Sequence, residues 1–152
     1  SVSGLHRKTR ILTVARVAHD AKKAALAEWA QVNHDKLKPC RIFATGTTAR
    51  KIKERCPELD ITALKSGPLG GDQQLGAMIA GGDLDAMIFF TDPMTPLPHD
   101  VDVKALTRLS TLYNIPMACN QATADFIISS ALFVEGYHRE ETDYEAYTSR
   151  EV

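Results

Sequence analysis

The chain has 152 residues, of which 44% are hydrophobic and 24% are charged, and its formal net charge is −1. This length and composition are typical of one globular domain and exclude a disordered chain. No apolar stretch approaches the roughly 18 residues of a membrane-spanning helix, and the near-zero charge argues against a nucleic-acid-binding protein. Three widely spaced cysteines without a CxxC motif argue against a disulfide framework and a cysteine-rich zinc site, and they favour a reducing cytoplasm.

Short apolar runs alternate with longer amphipathic stretches along the chain. The first run, residues 11–18, is rich in branched side chains and predicts a strand. Residues 20–33 predict a helix whose apolar stripe contains Ala25, Trp29 and Val32. The same patterns predict further strands over 40–44, 61–64, 85–90 and 116–119. They predict further helices up to residue 56, over 73–80, over 103–114 and over 122–130, with turn-forming segments over 66–72 and 91–100.

Five strand–helix units in succession predict an α/β fold, a single-domain doubly wound three-layer sandwich with a five-stranded parallel sheet of flavodoxin-like type. We assign this domain to residues 11–135 and expect a C-terminal segment over 136–152. Residues 1–10 are expected to be a tail, since they lack the apolar core of a secretory signal. In such folds, ligands bind beyond the carboxyl ends of the strands, so functional side chains are expected directly after each strand.

Polar or titratable residues follow every predicted strand. In chain order they are His19, Asp20, Lys22 and Lys23, then residues 45–48, residues 66–72, Asp92, His99, Asp100 and Asp102, and finally Asn120 and Thr123. Each has an ordinary structural explanation, because an Asp or Ser before a helix is usually an N-cap. Their convergence on one edge of the predicted sheet favours a ligand site.

Two glycine-containing segments are typical of anion-binding loops, namely residues 45–48 (TGTT) and residues 66–71 (SGPLGG). Glycine lets a backbone approach a ligand closely, N–H groups at a helix start point towards an anion, and hydroxyls add donors. Lys23 adds a positive charge one turn into the first predicted helix. An ordinary strand-to-helix turn is the alternative for either segment alone, and the sequence contains neither GxxxxGK[ST] nor GxGxxG.

His19 and His99 are candidates for acid–base or electrophilic catalysis, because a histidine titrates near neutral pH. Asp72 and Asp102 are the candidate carboxylates, and a pair of enclosed carboxylates can share a proton so that one acts as a base. Surface histidines and helix-capping aspartates are the alternatives. His99 and Asp102 lack an obvious third metal ligand and no GxSxG motif is present, so we predict neither a metal site nor covalent catalysis.

Taken together, several segments closely resemble the methylglyoxal synthase family. They are VAHD at 17–20, ATGTT at 44–48, SGPLGGDQQLGA at 66–77, DP at 92–93, PHDVDVKALTRL at 98–109 and NQATADFII at 120–128. The resemblance extends over about residues 11–130, and the combination of GPxGGDQQ with PHDxDVKAL is highly specific.

The resemblance implies an enzyme that converts dihydroxyacetone phosphate into methylglyoxal and inorganic phosphate, a bypass of glycolysis, without a metal or an organic cofactor. It implies that Asp72 is the catalytic base, that His99 lies near the substrate oxygens and that Asp102 is a second acidic partner. The substrate and phosphate contacts that it implies are His19, Lys23, Thr45, Gly46, Thr47, Thr48, Ser66 and Gly67. It further implies a cytoplasmic, allosteric homohexamer that phosphate inhibits, in which Arg150 reaches the phosphate site of a neighbouring subunit.

The sequence is also compatible with two other functions. A ligand-binding regulatory module, such as the allosteric domain of carbamoyl phosphate synthetase, shares the fold and the anion-binding loops but does not need Asp72, His99 and Asp102. A sugar-phosphate isomerase uses similar acid–base chemistry but forms glyceraldehyde 3-phosphate. Release of methylglyoxal together with inorganic phosphate distinguishes the synthase from both.

Overall fold

Strands and helices alternate along the part of the chain that the computed structural model describes, which comprises residues 13–18, 22–94 and 100–135. The strands are β1 (Thr13–Ala18), β2 (Arg41–Thr45), β3 (Asp60–Leu64), β4 (Ala86–Phe90) and β5 (Met117–Ala118). The helices are α1 (Lys23–Val32), α2 (His34–Leu37), α3 (Gly46–Arg55), α4 (Gly71–Ala80), α5 (Asp100–Leu112), α6 (Gln121–Ser129) and α7 (Ala131–Glu135), and a 3₁₀ turn covers Gly67–Leu69. Within these ranges, none of the helices is both long and apolar enough to cross a bilayer.

The strands form a parallel sheet in the order β3-β2-β1-β4-β5. β1 pairs with β2 on one side and with β4 on the other, so that Val14 is in register with both Ile42 and Ala86. The predicted α/β class with parallel strands is confirmed. The order 3-2-1-4-5 differs from the 2-1-3-4-5 order of flavodoxin-like folds, so the predicted flavodoxin-like type is corrected. The chain adds β2 and β3 on one side of β1 before it returns to place β4 on the other side.

Strand β4 is buried along its whole length because helices cover both faces of the sheet. Ala86, Ile88 and Phe90 belong to one apolar cluster, and Met87 and Phe89 belong to a second. The first cluster contains side chains of α1, α3 and α6, and the second contains side chains of α4 and α5. Successive residues of a strand point to opposite faces, so the two clusters lie on opposite sides of the sheet.

Two apolar residues of predicted helices are exposed: Val32 of the stripe predicted for the first helix, and Leu112 of the apolar stripe of the helix predicted over 103–114. Val32 is 79% exposed and Leu112 is 40% exposed. Each is the last residue of its helix, and the buried stripe of α1 instead contains Leu26, Trp29 and Ala30. An apolar residue at a helix end can lie beyond the surface that the helix covers, and periodicity alone does not reveal where that surface ends.

Trp29 fixes α1 against the sheet and against α6. Its side chain is buried and meets Phe90 edge to face, with 6.2 Å between the ring centroids. Its Nε1–H donates a hydrogen bond of 2.7 Å to Asp125 Oδ1, which ties α1 to α6. This packing anchors the helix whose first residue is Lys23.

Candidate active site

The strand order reverses between β1 and β4, and in parallel sheets ligands bind outside the carboxyl ends of the strands at such a point. Helices α1, α3, α4 and α5 all begin at this edge, because each of them follows a strand of the parallel sheet. In or beside their first turns lie Lys23, residues 45–48, Asp72 and Asp102.

The TGTT segment is the direct junction of β2 and α3, without a loop between them. Thr45 is the last residue of β2 and Gly46 is the first residue of α3. The first N–H groups of a helix lack intrahelical acceptors and carry partial positive charge, so this junction can bind an anion. Thr48 is fully buried, and its Oγ1 has no hydrogen-bond partner among the described residues. Because buried hydroxyls are usually paired, Thr48 Oγ1 is suited to a ligand oxygen.

The SGPLGG segment folds into a tight turn that leads into α4. The Ser66 carbonyl accepts hydrogen bonds from the N–H groups of Leu69 at 3.0 Å and Gly71 at 2.9 Å. Gly70 has a φ of 108°, a left-handed conformation that disfavours residues with a Cβ, and it lets the turn pass directly into the helix. The turn therefore holds Ser66 and Gly67 beside the start of α4.

The two predicted anion-binding segments touch each other. The Gly46 N–H donates to the Lys65 carbonyl at 3.5 Å, which continues the β2–β3 pairing past the ends of both strands. A Cβ on Gly46 would lie 3.4 Å from the Ser66 nitrogen, so the two backbones are in direct contact. The structure thus brings residues 45–48 and residues 66–67 together at one edge of the sheet.

Asp72 is a buried carboxylate beside the second segment. It is 2% exposed and is the second residue of α4. Gly70 occupies the N-cap position and no side chain caps this helix, so Asp72 is not a helix cap. A Cβ on Gly71 would overlap the Lys65 carbonyl oxygen, which shows how closely the backbone before Asp72 approaches the end of β3. A helix N-terminus favours negative charge, so this position suits a catalytic carboxylate.

Asp102 belongs to the neighbouring helix. Helices α4 and α5 pack side by side in the second apolar cluster. Gly76 of α4 allows a close approach, since a Cβ there would lie 3.3 Å from Leu109 Cδ1 of α5. Both helices begin at the carboxyl edge of the sheet, so the half-buried Asp102 in the first turn of α5 shares that edge with Asp72.

Some polar residues at this edge have structural roles. Asn120 caps α6, because its Oδ1 accepts a hydrogen bond of 2.9 Å from the Thr123 N–H. Asp92 Oδ1 accepts a hydrogen bond of 3.1 Å from the Met94 N–H in the turn that follows β4. These side chains stabilise the local backbone and need no ligand to explain them.

The remaining predicted residues divide into those that the structure describes and those that it does not. Lys23 is half-buried and begins α1, just after the carboxyl end of β1. His19, His99 and Arg150 lie outside the described residues, so their roles stay predictions. Sequence reasoning missed the close approach of Gly71 to the end of β3. The sequence shows that Gly71 lies in a turn-forming segment, but it does not indicate which backbone atoms Gly71 approaches.

The cysteines do not have the character of nucleophiles. Cys119 follows β5, and its carbonyl accepts hydrogen bonds from the Thr91 N–H at 3.3 Å and from Thr91 Oγ1 at 3.2 Å. Burial raises the pKa of the Cys119 thiol above its usual value, so the thiol stays protonated near neutral pH. Cys40 and Cys56 are buried in the core. Over residues 13–18, 22–94 and 100–135, no group of three or more His, Cys, Asp or Glu residues could hold a metal ion.

The class of this domain follows from a family model. The model described as an MGS-like domain matches residues 25–119. This range runs from the first turn of α1 to the residue after β5, and so contains β2, β3, β4 and both predicted anion-binding segments. The part of the chain from residue 25 to residue 119 is therefore an MGS-like domain.

Relatives and a solved structure match most of the chain. The methylglyoxal synthase of Rhizobium rhizogenes is 62% identical over 117 residues, which cover 77% of this chain and 93% of the relative. That of Hahella chejuensis is 49% identical over 148 residues, which cover 97% of this chain and 95% of the relative. The crystal structure of methylglyoxal synthase from Elizabethkingia anophelis matches with a TM-score of 0.85 at 49% identity and covers 93% of both chains. The chain therefore belongs to the methylglyoxal synthase family.

Proposed function

We propose that this chain converts dihydroxyacetone phosphate into methylglyoxal and inorganic phosphate. The observation that carries the proposal is the contact between two anion-binding segments, residues 45–48 and 66–67, with the buried carboxylate of Asp72 at the helix start that follows them. A regulatory module needs the anion-binding segments but has no use for a buried carboxylate beside them. Membership of the methylglyoxal synthase family supports the same reaction.

Asp72 is the proposed catalytic base. Its carboxylate removes a proton from the hydroxymethyl carbon of the substrate, and the electrons of that C–H bond form an enediolate with the ketone carbon. Such a carbon acid is weak, so a donor must stabilise the developing negative charge on the ketone oxygen. We assign this role to His99 and the role of a second acidic partner to Asp102, whose helix packs against that of Asp72.

The phosphate group leaves in the second step. The hydroxyl proton on the former hydroxymethyl carbon moves to the enediolate oxygen, so that the oxygen it leaves forms the aldehyde C=O bond. The C=C bond then shifts to the carbon that carries the phosphate, the bond from that carbon to the bridging oxygen breaks, and phosphate leaves with the electron pair. The resulting enol gains a proton at the carbon that carried the phosphate, loses its hydroxyl proton and becomes methylglyoxal. If the bound phosphate keeps its C–O bond parallel to the π orbitals of the enediolate, elimination is faster than the reprotonation that an isomerase carries out. We assign the substrate and phosphate contacts to His19, Lys23, Thr45, Gly46, Thr47, Thr48, Ser66 and Gly67.

Product analysis tests the proposed function directly. Purified protein incubated with dihydroxyacetone phosphate is expected to release methylglyoxal and inorganic phosphate in equal amounts, because each turnover breaks one C–O bond. Both products are measured in the same samples. Formation of glyceraldehyde 3-phosphate without phosphate release would instead identify an isomerase. Phosphate binding without any turnover would identify a regulatory module.

Replacement of Lys23 by alanine is expected to weaken phosphate binding. Lys23 is half-buried at the start of α1, where its ammonium group can pair with the substrate phosphate. Loss of one charge-assisted hydrogen bond should raise both KM and the phosphate inhibition constant about tenfold. The turnover number should change much less, since the base is intact. Steady-state kinetics with and without added phosphate provide both constants.

Lys22→Ala is the matched control for this prediction. Lys22 precedes Lys23 in the chain, is exposed, and makes no side-chain hydrogen bond that caps α1. Its replacement removes the same charge from the protein and should leave both constants close to those of the wild type. If Lys23→Ala and Lys22→Ala have the same phosphate inhibition constant, Lys23 does not bind the phosphate.

We also propose the wider organisation of the enzyme. Residues 11–135 form the catalytic domain as a doubly wound three-layer sandwich, which the apolar clusters on both faces of the sheet support. Residues 136–152 lie at a subunit interface of a cytoplasmic, allosteric homohexamer, where Arg150 reaches a neighbouring phosphate site and phosphate acts as an inhibitor. The resemblance to the family supports this assembly, and the native mass in solution tests it. Proton transfer and loss of phosphate need no metal or organic cofactor in this mechanism.

A further inference from the structure

Gln74 holds both ends of the second anion-binding segment. Its side-chain Oε1 accepts a hydrogen bond of 2.8 Å from the Lys65 N–H, and its backbone N–H donates to the Gly70 carbonyl at 3.0 Å. Lys65 and Gly70 flank residues 66–69, which form the turn. One residue of α4 therefore closes this turn at its beginning and at its end.

Lys65 also connects this turn to the first anion-binding segment through a backbone hydrogen bond. While its N–H is bound by Gln74, its carbonyl accepts the hydrogen bond from the Gly46 N–H at the start of α3. The same carbonyl oxygen leaves no room for a Cβ on Gly71. The position of Lys65 thus determines how the two segments and the start of α4 fit together.

We propose that Gln74 is a positioning residue for phosphate binding, an inference that rests on the proposed function. Gln74 acts through Lys65, which keeps Ser66 and Gly67 next to the first turn of α3. Without the side-chain acceptor, the beginning of the turn can shift away from α4. The backbone N–H groups and the Ser66 hydroxyl then no longer converge on one phosphate, so affinity falls while the base stays in place.

The chain offers a control of the same residue type. Gln73 immediately precedes Gln74 on α4 and is also exposed. None of the residues that the structure describes forms a hydrogen bond with the Gln73 side chain. Adjacent helix residues point about 100° apart, so the Gln73 side chain is directed away from that of Gln74.

The experiment compares Gln74→Met with Gln73→Met. Methionine keeps the length of the side chain and favours a helix as glutamine does, but it lacks the amide oxygen. For Gln74→Met, we expect KM for dihydroxyacetone phosphate and the phosphate inhibition constant to rise together about fivefold, the scale of one lost hydrogen bond. The turnover number should stay within about twofold of the wild type, because the hydrogen bond does not involve Asp72. Gln73→Met should match the wild type in all three constants.

Two results would overturn the inference. One is a phosphate inhibition constant for Gln74→Met that equals that of Gln73→Met, and the other is a lower turnover number with unchanged KM and inhibition constant. If Gln74→Met does not fold, Gln74→Ala provides the same comparison against Gln73→Ala. Phosphate binding measured by calorimetry separates this inference from the proposed function. If the wild-type protein binds phosphate but forms no methylglyoxal, the proposed enzyme activity is refuted, and phosphate affinity can still be compared between Gln74→Met and Gln73→Met.

Discussion

Asp72→Asn is expected to lower the turnover number for dihydroxyacetone phosphate by about 100-fold or more, the usual scale for loss of a general base. Asparagine has nearly the same size as aspartate but cannot accept the substrate proton. Asp72 is 2% exposed, so bulk water does not easily replace it as a base. Phosphate should bind the variant at least as tightly as the wild type, because both anion-binding segments are intact and a negative charge near them is removed. Steady-state release of methylglyoxal and phosphate inhibition measure the two effects.

Asp83→Asn is the control for this substitution. Asp83 is exposed and lies shortly after the end of α4, so the same chemical change there should leave turnover unaffected. Similar unfolding midpoints for the two variants would show that the loss of activity is not a loss of folded protein. If Asp72→Asn keeps more than about a tenth of the wild-type turnover, Asp72 is not the base. Asp102 would then be the next carboxylate to test.

Gly71→Ala is expected both to destabilise the protein and to reduce its activity. The added Cβ would overlap the Lys65 carbonyl oxygen and lie 3.0 Å from both the Lys65 and Ser66 carbonyl carbons. These are backbone atoms, so the chain must shift to admit the methyl group, at a cost of about 2–3 kcal/mol in the free energy of unfolding. The shift displaces the residue before Asp72 relative to the phosphate-binding turn. A displacement of about 1 Å can lower turnover on the order of 100-fold.

Gly76→Ala in the middle of the same helix is the control. Its Cβ would lie 3.3 Å from Leu109 Cδ1, the end of a flexible side chain, and alanine favours a helix over glycine by about 0.5–1 kcal/mol. Gly76→Ala should therefore keep its activity and unfold within about 1 kcal/mol of the wild type. Urea unfolding and steady-state kinetics provide the comparison. Equal stability and activity in the two variants would show that the backbone around Lys65 yields easily and that Gly71 is not required there.

The local pattern predicted the elements of this fold better than their arrangement. A buried strand was predicted over residues 85–90 because residues 86–90 are all apolar, as burial on both faces of a sheet requires. The position of that strand beside β1 was not predictable in the same way. A strand covered on both faces has the same apolar pattern whichever neighbour it pairs with. The order depends on which side of the sheet each crossover returns to, and that is decided by tertiary packing.

The location of the candidate site was more predictable than the roles within it. All strands of a parallel sheet end at one edge, so the sequence pattern predicts that Thr48 and Ser66 lie near each other. Asn120 and Asp92 obey the same rule of position, yet their side chains bind backbone N–H groups nearby. The rotamer of a polar side chain decides whether it caps a nearby helix or faces a ligand, and spacing along the chain does not determine that rotamer. The contact of Gly71 likewise depends on the distance between two elements.

The hydrogen bond between the Gly46 N–H and the Lys65 carbonyl makes the two anion-binding segments parts of one backbone frame. Neither segment can move alone to make room for a larger phosphate ester, because the movement would break this hydrogen bond and displace the end of β2 or β3. The size of the leaving group that the site accepts is therefore set by the distance between the backbones of the two segments. Substitutions of side chains in the two segments should change the affinity for the phosphate group. Acceptance of larger phosphate esters would instead require an insertion that lengthens one of the two segments.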